Sequence, residues 1–203
     1  MVKTDCQQFF ELQTENIERC KALQEIPELT QLAWESQTAA KDSPGVVRNE
    51  ELICRYSISP FHVDPSGALL PTAFSDASRL GLSVNRLQYT NIQHVYGLAL
   101  NRVNVWNVQN PAQPERVLVG YVTFQAFEVR DILSEGTPHR RGFGIYDTAT
   151  AADESKQLDA EPSHADVCQL VKDKKSAKSV RAQLYHLLSS RLVHFSGDSM
   201  QCA

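Results

Sequence analysis

The chain has 203 residues, 42% of them hydrophobic and 22% charged, enough for one domain with a real core. This composition excludes a collagen-like, low-complexity or globally disordered chain. Twenty basic against twenty-four acidic residues give a net charge of −4, which argues against a dedicated DNA-binding domain.

The sequence holds no run of about 18 apolar residues, so no membrane span is expected. The start, MVKTDCQQFF, turns polar at once, and no signal peptide is expected. The cysteines are Cys6, Cys20, Cys54, Cys168 and Cys202. Their number is odd and no C-x-x-C occurs, which fits a reduced, cytoplasmic protein.

The first forty residues read as helical. Thr4 and Gln7 have capping-box spacing. Phe9, Phe10, Leu12, Ile17, Cys20 and Leu23 follow with loose helical periodicity. Pro27 suits the first turn of a second helix, which carries Leu29, Leu32, Ala33 and Trp34. Residues 1–45 are therefore expected as an N-terminal helical hairpin, and 46–203 as an α+β domain. The hairpin's plain role is to cover one side of a sheet. A sharper role is to dock a protein partner through Phe9, Phe10 and Trp34.

In the main body, Leu52, Cys54, Tyr56 and Ile58 alternate as in a strand, with Arg55 and Ser57 on its opposite face. Pro60 ends that strand. A second strand covers Leu82 to Leu87, with Ser83 and Asn85 on one face. Thr90 is expected to cap a helix from Asn91 to about Trp106. Val117 to Phe124 is apolar on both faces, which predicts a central strand. Phe143 to Tyr146 and His164 to Val171 are further strands. Residues 147–162 are small, polar and acidic (Asp153, Glu154, Asp159, Glu161) and read as a mobile surface loop. Ser176 is expected to cap a final helix with the apolar stripe Val180, Leu184, Leu187, Leu188, Leu192 and Phe195. The pattern is α+β: a central mixed or mostly antiparallel sheet with packed helices.

Two clusters carry possible chemistry. Lys172, Lys174, Lys175, Lys178 and Arg181 crowd the start of the last helix, where the helix dipole favours anions. Lys174, Lys178 and Arg181 share one helical face, so this end suits a bound phosphate or a plain solvated surface. The second cluster is Arg55, Ser57, His62, Ser83, Asn85, Arg86 and His164, all on or just beyond strands. If the strands are neighbours, Arg55, Ser57, Ser83 and Asn85 line one face. An inner-strand arginine needs a partner, either a structural carboxylate or a ligand phosphate, because its charge is costly to bury alone.

Arg55 with Leu82-Ser83-Val84-Asn85 resembles the pattern of ADP-ribosyltransferase-like folds. These hold NAD with an Arg or His on an early strand and a Ser on a later one. The resemblance implies NAD as cofactor and a late Glu that activates the acceptor, for which Glu128 and Glu154 are the positions open. More loosely, Arg55-Tyr56-Ser57-Ile58-Ser59-Pro60, Gly81-Leu82-Ser83-Val84 and Ser163-His164-Ala165-Asp166-Val167 resemble short uncharacterised bacterial proteins. That resemblance implies a bacterial source and no particular activity.

The pairs His62-Val63-Asp64 and His164-Ala165-Asp166 offer too few converging ligands for a metal site. Gly142-Phe143-Gly144 lacks the third glycine and the βαβ setting of a dinucleotide fingerprint. His139-Arg140-Arg141 is a short basic run that reads as solvated loop rather than a nucleic-acid surface. The first functional expectation is a non-catalytic interaction or regulatory module, an accessory subunit of a bacterial multi-protein system. The alternative is an enzyme or receptor for a phosphorylated nucleotide. There Arg55 clamps phosphate, Ser57, Ser83 and Asn85 line the ligand, and Lys174, Lys178 and Arg181 hold a second phosphate. Arg55, Ser83 and His164 are its catalytic candidates, His164 as acid or base.

Overall fold

A computed structural model describes residues 3–14, 16–135, 138–152 and 160–195. Its centre is a six-stranded sheet in which every pairing is antiparallel. The strands are β1 (Leu52–Ser59), β2 (Leu82–Arg86), β3 (Val117–Gln125), β4 (Phe143–Tyr146), β5 (His164–Gln169) and β6 (Val193–His194), in the order β4-β5-β2-β1-β3-β6. The α+β class expected from the sequence is what forms, with no parallel strand among the described residues.

The apolar alternation sets the two faces of the sheet. Ile53, Leu82, Val84, Val122, Phe124, Ile145, Ala165 and Val167 share one face and build the main core. That face is covered by helix α6 (Lys174–Leu188), through Val180, Leu184 and Leu188, and by a 3-10 helix (Pro71–Ser78), through Ala73, Phe74 and Ala77. The opposite face has two covers. Helix α4 (Ile92–Gln109) packs on β1 and β3 with Val95, Ala99 and Val103 buried. Over β4 and β5 lie three short N-terminal helices, α1 (Asp5–Leu12), α2 (Arg19–Gln24) and α3 (Glu28–Trp34). Cys6, Phe10, Cys20, Leu23 and Trp34 form a second core there with Tyr146, Cys168 and Leu170. The short helix α5 (Ala126–Arg130) follows β3 directly.

Several expectations need correction. The N-terminal segment is three helices rather than a hairpin, because Thr14 and Asn16 end the first one early. The Thr14 hydroxyl donates to the carbonyl of Phe10 (3.0 Å), and Asn16 Oδ1 accepts from Glu18 N (2.9 Å). Asn91, not Thr90, caps α4 by accepting from His94 N, and Asp173, not Ser176, caps α6 by accepting from Ser176 N. Strand β3 is not central. Its outer neighbour β6 pairs with it only at Gly120 and Tyr121. The segment 147–162 is no simple surface loop. Asp147, Ala149 and Glu161 are buried, and Thr150 bridges to Glu161. Asp153, Glu154 and Asp159 lie outside the described residues.

Candidate functional site

Register separates the residues that the sequence grouped. Cys54 lies opposite Asn85, and Ile53 opposite Arg86. Ser83 and Asn85 therefore share the face of Cys54, while Arg55 and Ser57 share the face of Ile53. The four residues do not line one surface.

Arg55 instead occupies a split in the sheet. Strand β2 stays paired with β5 from Leu82 to Asn85, but its pairing with β1 ends at Cys54 and Asn85. Beyond that point the two strands part. The Ser83 carbonyl, freed from the ladder, accepts from Arg55 Nη1 at 2.9 Å. Arg55 is 6% exposed, yet its charge is thinly compensated. Its Nη2 lies 3.9 Å from Asp76 Oδ2, beyond hydrogen-bond range, and the Asp76 side chain is 45% exposed. Arg55 Nε has no partner among the described residues. Neither has the hydroxyl of Ser57, two residues along the same face and 1% exposed.

Where β1 ends, His62 folds back on it. Its backbone N–H donates to the Ile58 carbonyl (2.7 Å), and its Nδ1 accepts from Ile58 N (3.3 Å). An accepting Nδ1 leaves the proton on Nε2. Burial, then the positive charges of Arg55 and Arg116, push the His62 pKa down to about 3, so the ring is neutral at neutral pH. Arg116 is held just as firmly. Its backbone N donates to Asn107 Oδ1 and its carbonyl accepts from Asn107 Nδ2, both at 2.9 Å. Its guanidinium lies 3.6 Å from the Trp106 ring centre and 4.8 Å from that of Phe61. Arg116 Nε is buried without a partner among the described residues. The Tyr56 ring lies 5.3 Å from the Arg55 guanidinium.

On the other face, Ser83, Asn85 and His164 enter a buried network built on Asp166 and Glu161, in which Arg19 Nε, like Arg55 Nε, has no partner among the described residues. Asp166 accepts from Arg19 Nη2 (2.5 Å) and Thr148 Oγ1 (2.8 Å), with the Ser83 hydroxyl at 3.5 Å. His164 Nδ1 lies 2.9 Å from the Thr148 carbonyl, and its Nε2 lies 3.9 Å from Asp166. The Ser83 hydroxyl therefore meets the carboxylate and not the imidazole, so no nucleophile–base pair forms. Asn85 Nδ2 donates to Ser163 Oγ (3.0 Å), Ser163 donates to Glu161, and His94 sits 3.3 Å from the same carboxylate.

The remaining candidates fall elsewhere. Lys174 and Lys178 are exposed and Arg181 half-buried on α6. The Asp173 cap supplies the negative charge that this helix start calls for. Phe10 and Trp34 are 4% and 7% exposed in the second core, and Phe9 packs beside them. Glu128 is taken by Arg191 in a two-pronged ion pair (2.9 and 2.7 Å). Among the described residues no three His, Cys, Asp or Glu side chains converge as for a metal, and no helix is long and apolar enough to cross a membrane. Phe61, Asp76, Trp106 and Arg116 were not singled out in the sequence. Arg116 follows a proline-bracketed loop, and nothing local ties it to Arg55.

No family model, curated protein or solved structure matches the chain.

Proposed function

We propose that the chain is a non-catalytic binding module for a small oxyanion, with Arg55 as its clamp. One observation carries this reading. A buried arginine keeps an unpartnered Nε and a loosely held Nη2 beside an unpartnered Ser57 hydroxyl. A buried guanidinium is costly unless an anion meets it, and its planar fork fits phosphate or carboxylate oxygens. Asp76, half in solvent, is easily displaced from Nη2 by a ligand.

The same geometry argues against acid–base chemistry at the clamp. With a pKa near 3, His62 is a poor base at neutral pH. The reading thus keeps the non-catalytic half of one expectation and the anionic ligand of the other. With it goes a reducing, cytoplasmic setting, which the unpaired, buried Cys6, Cys20, Cys54 and Cys168 fit.

The test is a thermal shift with inorganic phosphate and with acetate, on the wild type and on Arg55→Gln. A ligand at about 100 times its Kd stabilises by about 2.7 kcal/mol, a rise of roughly 5–10 °C for a chain of this size. We expect that rise in the wild type and none in Arg55→Gln. Ser57→Ala guards against misfolding, because it breaks no hydrogen bond made by its side chain. It should keep or raise the unliganded Tm and weaken anion binding. A wild type blind to both anions, or an Arg55→Gln protein that still responds, overturns the reading.

A further inference from the structure

We infer that Asp76 makes the Arg55 clamp selective for an oxyanion that carries a proton of its own, so that inorganic phosphate is bound in preference to sulfate. This rests on the oxyanion reading of Arg55 and names the ligand class within it.

The Arg55 guanidinium has one edge in use and one free. Nη1 is tied to the Ser83 carbonyl at 2.9 Å. Nε and Nη2 form the other edge, and neither has a hydrogen-bond partner among the described residues. Two parallel N–H groups of this kind take two oxygens of one anion. Asp76 Oδ2 lies 3.9 Å from Nη2. An anion seated on the free edge therefore meets a carboxylate as well as a guanidinium.

Such an anion moves the Asp76 side chain aside but does not carry it away. The Asp76 carbonyl accepts from Arg79 N and from Gly81 N, both at 2.9 Å, which fixes its backbone at the end of the 3-10 helix. Its carboxylate makes no hydrogen bond among the described residues, and Arg55 is the one cation there within ion-pair range of it. Two anions side by side repel, and more so next to a buried group than in open water. A proton between them turns that contact into a hydrogen bond. An ionised carboxylate only accepts, so the ligand has to donate. Hydrogenphosphate has that proton and keeps oxygens for Nε and Nη2. Sulfate has the same tetrahedral shape and no proton to give.

Calorimetric titration of the whole protein with phosphate and with sulfate tests this. At about pH 8 both are dianions, since phosphate has given up its second proton, and only phosphate still holds one. We expect wild type to bind phosphate about tenfold or more tightly than sulfate, the difference that a hydrogen bond to a charged group makes. Asp76→Asn removes the repulsion and offers a donor beside its acceptor. It should bring sulfate up to about the level of phosphate. Asp76→Ala replaces it if that protein melts early, and should also abolish the preference. Equal wild-type affinity for the two anions overturns this inference and leaves the oxyanion reading of Arg55 standing. So does a phosphate preference that survives in the Asp76 variants. A gain of the same factor for both anions has the same consequence, because it makes Asp76 a plain repelling charge. If wild type binds neither anion, the reading beneath it fails as well.

Discussion

His62 shows how one residue couples the candidate site to stability. Its pKa in the folded chain is about 3, against an ordinary value of 6.5. Burial is the largest cause, and the charges of Arg55 and Arg116 add to it. Between those two values the unfolded chain binds a proton that the folded chain does not. Folding stability therefore rises with pH across that window. His62 contributes up to about 1.4 kcal/mol per pH unit, present above pH 6.5 and lost as the pH falls toward 3. Urea melts of wild type and His62→Gln from pH 4 to 7 measure this. We expect the slope to fall in the variant, with the difference confined to the range below pH 6.5. Parallel slopes would mean that the ring is charged at mildly acidic pH, and the positive field between Arg55 and Arg116 would be weaker than the geometry indicates.

At the level of elements, the sequence shows which segments are strands and helices better than it shows how they meet. Strands β1 and β2 are legible from alternation, and the capping box of Thr4 and Gln7 forms as the spacing requires. The join between α1 and α2 is not. Leu12 and Ile17, which fit one apolar stripe by spacing, are 81% and 55% exposed, and the turn between the helices lies beneath that false periodicity. Register was likewise hidden. A shift of one residue in the β1–β2 pairing would have put Arg55 and Ser83 on one face, and no local pattern distinguishes the two pairings. The start of α6 makes the same point about caps. Five basic residues there suggested an anion site, but Asp173 takes Ser176 N at 2.9 Å and supplies the charge from within the chain. Asp173→Ala should therefore destabilise the protein by about 1 kcal/mol, lowering Tm by roughly 2–4 °C. Adding phosphate should not restore that loss in an Arg55→Gln background. Restoration there would place an anion at the helix start after all.

For the molecule as a whole, the question is whether residues 1–45 can part from the rest. Aromatic residues in that segment suggested a partner-facing surface, yet their packing joins them to β4 and β5. The polar contacts across the boundary are stronger still. Glu35 accepts from Arg130 Nε (2.9 Å), Arg141 Nη1 (2.5 Å) and Ile145 N (2.8 Å), closing off the backbone edge of β4. Arg19 holds Asp166. Arg86, fully buried, donates across the boundary to the Gly45 carbonyl. Removing one member of such a buried pair leaves an uncompensated charge and costs about 3–5 kcal/mol. A chain of residues 46–203 would lose Glu35 and Arg19 together and would bare Tyr146, Cys168 and Leu170. Domains of this size have about 5–15 kcal/mol of stability in all. The truncated chain should therefore fail to fold cooperatively, seen as a lost calorimetric transition and as binding of a hydrophobic dye. Glu35→Gln is the milder probe. It keeps the shape but removes the charge shared by Arg130 and Arg141, and should lower stability by several kcal/mol without loss of structure. A truncated chain that melts sharply would instead make the N-terminal helices a separable unit, free to release Phe10 and Trp34 toward a protein partner.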